Sequence, residues 1–204
     1  MANDFRVRDS RYIGSVAMPG NDEQKIGNDR TVTDPVIDRP VVLVGMMGVG
    51  KSSIGKRLAT RLNVPFADAD DEIERAAGLS ISEIFEKFGE GYFRDGERRV
   101  IARLVEGAPK IIATGGGAFV NADTRALILE RAISIWLDAD VKVLADRVGR
   151  RSHRPLLKDK DPVEVLTELG KIRNPLYATA NIHIRSDTSP HMRTVENIVK
   201  ALAQ

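Results

Sequence analysis

The sequence predicts one α/β domain, in which a five-stranded parallel sheet is flanked by helices. Three observations favour this class. From residue 40 onward, short runs of β-branched apolar residues alternate with segments of helical periodicity, and such alternation produces parallel sheets through right-handed βαβ units. The 204 residues can enclose one core of this kind. Their 42% hydrophobic and 29% charged content is ordinary for a globular protein.

The elements follow one another in the order that this class requires. Continuous apolar runs, typical of buried parallel strands, lie at 41–45, 64–68, 110–117, 133–139 and 182–186. Helices are expected at 52–62, 71–78, 81–89, 92–107, 122–132, 140–149, 162–180 and 194–204. In the first helix, Ile54, Leu58 and Leu62 are spaced four residues apart and form its apolar stripe.

Two segments lack the periodicity of the rest. Residues 1–39 mix charged residues with Gly and Pro, and we expect a flexible N-terminal extension to a domain that spans 40–204. Residues 149–162 combine basic side chains with prolines, which favours an exposed and mobile lid. An ordinary solvated run of charge is the alternative for this second segment.

Composition excludes several functional classes. With 31 basic and 29 acidic residues the net charge is only +2, so composition gives no reason to expect a nucleic-acid partner. Cysteine is absent, which excludes disulfides and thiolate metal sites and fits a reducing compartment. No apolar run reaches the length of a membrane span, and the N-terminal residues are acidic and lack the apolar core of a secretory signal. We therefore expect a soluble cytoplasmic protein without a membrane partner.

The segment GMMGVGKS, from Gly45 to Ser52, satisfies the pattern G-x-x-x-x-G-K-[ST]. Glycines let backbone N–H groups curl around phosphate oxygens, Lys51 reaches the β and γ phosphates, and Ser52 would ligate magnesium. A buried strand precedes the segment and an amphipathic helix follows it, as the motif requires. The segment therefore predicts binding of a purine nucleoside triphosphate, such as ATP, with Mg²⁺.

Two carboxylates end the second predicted strand. Asp68 and Asp70 are two residues apart and so share one face of the strand, at the edge where open parallel sheets form their ligand crevice. One carboxylate could hold a magnesium water while the other accepts hydrogen bonds from a substrate hydroxyl. Alternatively, Asp70 or Asp71 only caps the helix that follows.

Arginines and glycines downstream are candidates for a second substrate. Arg94 could grip a carboxylate bidentately, or could form a surface ion pair with Glu90 or Glu97. Three glycines, 115–117, end the third strand, where bare backbone can approach a ligand closely. Arg173 precedes a proline that would perturb its helix and could turn the arginine towards the same cleft.

Side chains near the lid and the histidines complete the candidates. Arg154 in the lid could stabilise charge that develops during phosphoryl transfer. The histidines share no metal-ligand spacing and are interpreted as surface or strand residues. These histidines are His153, His183 and His191.

Taken together, the motifs resemble the shikimate kinase family. The resemblance rests on GMMGVGKSSIGKRLA, DADDEIE, GEGYFRDGE, TGGGA, HRPLL and RNPLY, in the family's order and at its approximate spacing, from about Pro40 to the last helix. It implies a P-loop nucleoside triphosphate hydrolase fold of the nucleoside-monophosphate-kinase type. It also implies ATP-dependent phosphorylation of the 3-hydroxyl of shikimate by a monomer. Ser53 stands where the family usually has threonine, and residues 1–39 have no counterpart in its compact members.

The resemblance assigns roles residue by residue. The catalytic residues would be Lys51, Asp70 and Arg154. The ATP contacts would be Gly45, Gly48, Val49, Gly50, Lys51, Ser52, Ser53, Arg147, Arg154 and Ser189 with the adjoining Pro190. Shikimate would be bound by Asp70, Arg94, Gly116 and Arg173, and the metal would be held by Ser52 and Asp68. The alternatives are a gluconate or nucleotide kinase with the same loop, or a regulatory nucleotide-binding module without a second pocket.

Overall fold

The computed structural model describes residues 34–149, 161–186 and 191–204. Its five strands form one sheet in the order β2-β3-β1-β4-β5, and every neighbouring pair is parallel. The predicted fold class is therefore confirmed. The strands are β1 (Val41–Val44), β2 (Phe66–Asp68), β3 (Ile111–Ala113), β4 (Ile133–Asp138) and β5 (Ile182–Arg185).

Helices connect the strands and cover the sheet. In the described part of the chain they are α1 (Lys51–Leu62), α2 (Ala69–Ala77), α3 (Ile81–Val105), α4 (Ala122–Arg131), α5 (Val141–Gly149), α6 (Pro162–Tyr177) and α7 (His191–Leu202). A short 3₁₀ turn, Ala118–Val120, follows β3 and was not expected from the sequence. No described helix has both the length and the apolar character that crossing a membrane requires.

Several helix boundaries follow from local chemistry. Ser80 and Glu83 form a reciprocal capping box at the start of α3. The two helices predicted at 81–89 and 92–107 are merged in α3, which ends at Val105, and the backbone leaves helical geometry at Gly89 (φ 78°), where the first was predicted to end. Asp161 caps α6 by accepting from the Val163 N–H. The proline expected to perturb α6, Pro175, lies inside the helix, which continues to Tyr177.

The strand order places the phosphate loop at the centre of the sheet. All four residues of β1 are fully buried, and Val41 pairs with Ile111 of β3 on one side and with Ile133 of β4 on the other. The next two strands in the chain, β2 and β3, lie on one side of β1, and β4 and β5 lie on the other. Ligand crevices in open parallel sheets lie at the point where the strand order reverses in this way. The third strand was predicted to reach residue 117 but ends at Ala113, because the glycines beyond it form the wall of the crevice.

Candidate active site

The phosphate loop needs glycine at its two ends for different reasons. Gly45 has φ +132°, and a side chain there would overlap the carbonyl oxygen of Leu137 in β4. Gly50 caps α1 in the left-handed region with φ 99°, which L side chains adopt rarely. The loop between them is consequently held tightly against the sheet at one end and turned into a helix at the other.

Lys51 is buried at 8% exposure although it carries a charge. Its Nζ donates to the carbonyl oxygens of Gly45 at 2.7 Å and Met46 at 3.0 Å, so the loop's own backbone holds the ammonium group over the loop. The first turn of α1 contains no acidic residue that would neutralise the positive end of the helix. Lysine and helix therefore present positive charge to the same anion site.

Ser52 and Asp68 form a pair of hard oxygen ligands beside the loop. The Ser52 hydroxyl donates to Asp68 Oδ2 at 2.6 Å, and Asp68 Oδ1 accepts from the Asp70 N–H at 3.1 Å. Asp68 is thus the N-cap of α2. The alternative that Asp70 or Asp71 caps this helix is wrong, because the helix begins at Ala69, two residues before the predicted start, and Asp70 lies in its first turn rather than on the strand. The Asp70 carboxylate does not cap the helix and lines the crevice.

Two adjoining cavities meet at Asp70. The first, the donor cavity, has a volume of about 450 Å³ and is lined by the phosphate loop, Asp68, Asp70 and Arg147 among others. The second, the acceptor cavity, has a volume of about 210 Å³ and is lined by Asp70, Arg94, Glu97 and Arg173 among others. Four residues line both cavities, namely Met47, Asp70, Gly115 and Gly116. A group bound in one cavity can therefore react with a group bound in the other beside Asp70.

Arg94 pairs with both glutamates that the sequence offered, and the pair with Glu97 is buried whereas the pair with Glu90 is exposed. Its Nη1 donates to Glu97 Oε2 at 2.7 Å and its Nη2 to Glu90 Oε1 at 3.2 Å. Only 2% of the Glu97 side chain and 28% of the Arg94 side chain are exposed. Burial acts to lower the pKa of Arg94, and the two carboxylates outweigh it and raise that pKa. The guanidinium group is therefore fixed as a permanent cation at the wall of the acceptor cavity.

Glu97 is a buried carboxylate with unused hydrogen-bonding capacity. Burial raises the pKa of Glu97 against the opposing effect of Arg94. Within the part of the chain that the structure describes, its Oε1 is buried and has no hydrogen-bond partner. This oxygen lies near Gly115 at the cavity wall, since a Cβ on Gly115 would stand 3.2 Å from it.

The glycines after β3 lie beside polar side chains of the acceptor cavity. The Gly116 carbonyl oxygen accepts from Arg173 Nη1 at 3.3 Å and from the Tyr177 hydroxyl. A side chain at position 117 would overlap the Arg94 guanidinium group, with Cβ 2.6 Å from both terminal nitrogens. Small residues here leave the two arginines room to face one ligand.

The structure brings together most of the side chains that the sequence singled out. Arg147 lies at the donor cavity, where its Nη1 donates to the Val49 carbonyl at 3.4 Å. Arg154, Ser189, Pro190 and His153 lie outside the described residues, as do residues 1–33 of the N-terminal extension and 150–160 of the lid.

Sequence reasoning missed several residues that line the cavities or contact their walls. Glu97 was considered only as a surface partner of Arg94. Its position three residues after Arg94 on a predicted helix places the two side chains on the same face of that helix. Tyr177 stands in the motif RNPLY without a role, and it is fully buried. His191, interpreted as a surface or strand residue, lines the donor cavity. Thr114 lines it too, and Met47 lines both.

Fold and site together define a class of protein: a P-loop kinase with a separate cavity for a small-molecule acceptor. The family model described as Shikimate kinase matches residues 47–203. A shikimate kinase of Caulobacter vibrioides is 61% identical over 170 residues, which cover 83% of this chain and 85% of that protein. A shikimate kinase of Novosphingobium aromaticivorans is 57% identical over 172 residues, covering 82% and 89%. The chain belongs to the shikimate kinase family.

Solved structures support the same family. The shikimate kinase from Acinetobacter baumannii in complex with shikimate has a TM-score of 0.76 and 37% identity, with 80% of this chain and 92% of that chain covered. A gluconokinase from Sinorhizobium meliloti has a TM-score of 0.54 at 17% identity, with 83% and 94% covered. At that identity the second likeness shows the fold alone.

Proposed function

We propose that this chain transfers the γ-phosphoryl group of ATP to the 3-hydroxyl of shikimate, giving shikimate 3-phosphate and ADP. This reaction is a step of chorismate and aromatic amino acid biosynthesis. The observation that carries the proposal is that the phosphate-loop cavity adjoins a second cavity that is walled by two arginines, with Asp70 lining both. The Acinetobacter baumannii relative, whose structure contains shikimate, supports the choice of acceptor.

On the donor side, the chain's own residues position and neutralise the triphosphate. Gly45, Gly48 and Gly50 leave the backbone N–H groups of the loop open to phosphate oxygens, and Lys51 exchanges its carbonyl partners for the β and γ phosphates. Phosphoryl transfer needs little covalent chemistry from the protein, so such positioning and charge neutralisation supply most of the catalysis. By resemblance, Arg154 adds a second positive charge from the lid.

Ser52 and Asp68 fit a magnesium ion. Both present oxygen atoms beside the loop, 2.6 Å apart, and Mg²⁺ prefers one or two protein oxygens together with phosphates and water. Within the described residues no cluster of three or more His, Cys, Asp or Glu offers an all-protein metal cage. When bound, the ion would neutralise charge between the β and γ phosphates.

On the acceptor side, Arg94 and Arg173 would bind the shikimate carboxylate while Gly116 contacts it through backbone. Asp70 would accept hydrogen bonds from the substrate hydroxyls and orient the attacking oxygen towards the donor cavity. Two guanidinium groups facing one small cavity suit a carboxylate, because planar forks donate bidentately. A nucleotide or gluconate kinase need not supply this pair, and a regulatory module needs no acceptor cavity.

The test is an assay of ADP release with Mg²⁺ and ATP, comparing shikimate, gluconate, AMP and no acceptor. We expect turnover with shikimate, identified by the appearance of shikimate 3-phosphate. ADP release only with gluconate or AMP would reassign the acceptor cavity. Release that is independent of any acceptor would reject the kinase proposal.

Two further parts of the proposal concern assembly and location. We infer that the chain acts as a monomer in the cytoplasm. The monomer is implied by the family resemblance, and the location fits the absence of cysteine from the sequence. Sedimentation at micromolar concentration checks the first, since a dimer would double the mass of 22.4 kDa.

Replacing Glu97 with glutamine is expected to stabilise the fold while weakening shikimate binding. Because burial raises the Glu97 pKa above its ordinary 4.5, the wild type loses stability as pH rises from the ordinary value through the raised one. Glutamine does not titrate, so the advantage of Glu97→Gln should grow over that window and then level off. We expect a higher melting temperature than that of the wild type at pH 7, with a higher KM for shikimate because Arg94 loses its buried counter-charge.

Melting curves of both proteins between pH 4 and 8 measure this effect. Glu90→Gln is the matched control, because Glu90 also pairs with Arg94 but has 67% of its side chain exposed. The control should show little change in melting temperature at any pH. A Glu97→Gln protein that is less stable than wild type at pH 7 would contradict the argument.

A further inference from the structure

Tyr177 is the last residue of α6 and lies behind the glycine wall of the acceptor cavity. Its side chain is fully buried, and its hydroxyl donates to the carbonyl oxygen of Gly116, 61 positions earlier in the sequence. Gly116 lines the acceptor cavity and Tyr177 does not. The tyrosine can therefore act on a ligand in this cavity through the groups that it holds, rather than by touching the ligand.

Aromatic packing fixes the position of the phenol ring. The centroid of the buried Phe119 ring lies 6.4 Å from that of Tyr177, and the centroid of Trp136 in β4 lies 6.1 Å from it. Burial raises the pKa of Tyr177 above its ordinary 10.0, against the opposing effect of the Arg173 charge and hydrogen bond. The hydroxyl consequently keeps its proton at pH 7 and remains a hydrogen-bond donor.

The Gly116 carbonyl oxygen is shared by two donors. Arg173, one turn before Tyr177 on α6, donates to the same oxygen through Nη1 at 3.3 Å. A carbonyl oxygen has two lone pairs and can accept both bonds at once. Arg173 is also one of the two arginines that the proposed function assigns to the shikimate carboxylate. One of the nitrogens that it would use for a bidentate grip is therefore engaged by the protein's own backbone.

This sharing allows Arg173 to exchange one acceptor for another. A bidentate grip on a carboxylate uses two N–H groups of the guanidinium fork. When Nη1 turns to a carboxylate, the Gly116 carbonyl keeps the Tyr177 hydroxyl as its donor. Without that hydroxyl, the same movement would remove the remaining donor from a half-buried carbonyl group, and leaving such a group unpaired is unfavourable.

We propose that Tyr177 is a positioning residue for the acceptor: its hydroxyl keeps the Gly116 carbonyl hydrogen-bonded and so frees Arg173 to bind the carboxylate of the substrate. The inference rests on the proposed function in one respect, namely that Arg173 binds an acceptor carboxylate. Tyr177 makes no contact with the substrate and takes no part in the transfer of the phosphoryl group. Its hydroxyl should therefore affect KM for the acceptor, and not kcat or nucleotide affinity.

The test compares the steady-state kinetics of Tyr177→Phe and wild type at saturating ATP and Mg²⁺. Phenylalanine keeps the buried ring and removes only the hydroxyl. We expect KM for shikimate to rise roughly 3- to 10-fold, the range of one neutral hydrogen bond, with kcat within about twofold of the wild type. ADP affinity, measured by titration calorimetry, should not change and shows that the variant is folded.

Tyr92→Phe is the matched control, because Tyr92 is 52% exposed and lines neither cavity. It loses the same hydroxyl group from the same type of residue. Its KM for shikimate, its kcat and its ADP affinity should all equal those of the wild type.

A double-mutant cycle separates positioning through Arg173 from a purely structural role. In an Arg173→Ala background, Tyr177→Phe should change kcat/KM for shikimate by less than about twofold, because no arginine remains to be freed. An equal loss in both backgrounds would overturn the proposal, as would a wild-type KM in Tyr177→Phe or a loss confined to kcat. If the wild type does not phosphorylate shikimate, the proposed function fails and this inference fails with it. If the wild type does so and Tyr177→Phe is unaffected, only this inference fails.

Discussion

Replacing Lys51 with methionine is expected to lower kcat for shikimate phosphorylation by about 10²–10³-fold, the usual cost of losing one preorganised charge or donor at a developing charge. Methionine keeps most of the volume of the buried side chain and removes only the ammonium group. Melting temperature should fall as well, because the carbonyl groups of Gly45 and Met46 lose their donor. ADP release with saturating shikimate measures the first effect, and circular dichroism measures the second.

The control for this variant is Lys56→Met. Lys56 lies on the same helix, is exposed and lines neither cavity. Its loss should leave kcat within about twofold of the wild type, since surface charges contribute little. A Lys51→Met protein that folds and retains wild-type kcat would mean that the loop does not bind the transferred phosphoryl group.

Replacing Asp70 with asparagine is expected to lower kcat by about 10²–10⁴-fold, the range attributed to a positioned acid–base group. ADP affinity should not change, because Lys51 and the loop remain in place. The amide is nearly the same size as the carboxylate, so the fold should persist. Asp70 Oδ1 lies at the bare face of Gly115, where a Cβ would be 2.9 Å away, so the carboxylate stands at the junction of the cavities.

Asp71→Asn is the matched control for Asp70→Asn, since Asp71 is the adjacent carboxylate of α2 and is exposed. It should retain wild-type turnover and wild-type ADP affinity. Unchanged turnover in Asp70→Asn would remove Asp70 from the mechanism. Loss of ADP binding in the same variant would instead place Asp70 among the phosphate or metal ligands.

The sequence predicted the structural features that depend on residues close together along the chain. The phosphate loop is eight consecutive residues, so its conformation and its charge can be inferred from the motif alone. The five strands were predictable for a similar reason, because a buried parallel strand is a continuous apolar run. The roles assigned to Asp70, Arg94 and Arg173 remain predictions, although the structure places all three at one cavity.

What the sequence could not predict depends on packing between distant elements. The spacing of three residues indicates that Glu97 can pair with Arg94, but it does not indicate that α3 would bury Glu97. Asp68, Asp70 and Asp71 are equally good caps in isolation, and only the start of α2 decides among them. His191 was interpreted as a surface or strand residue because the histidines share no metal-ligand spacing, whereas α7 places it beside Gly50.

The central position of β1 also has a consequence for how the protein is made. β1 is the first strand of the described residues, yet its two partners lie about 70 and 92 residues further on, since Val41 pairs with Ile111 and with Ile133. Gly45, at the start of the phosphate loop that follows β1, lies against Leu137 of β4. During synthesis the loop therefore leaves the ribosome long before β4 exists. Pairings of such long range form slowly, so the loop reaches its final surroundings late in folding.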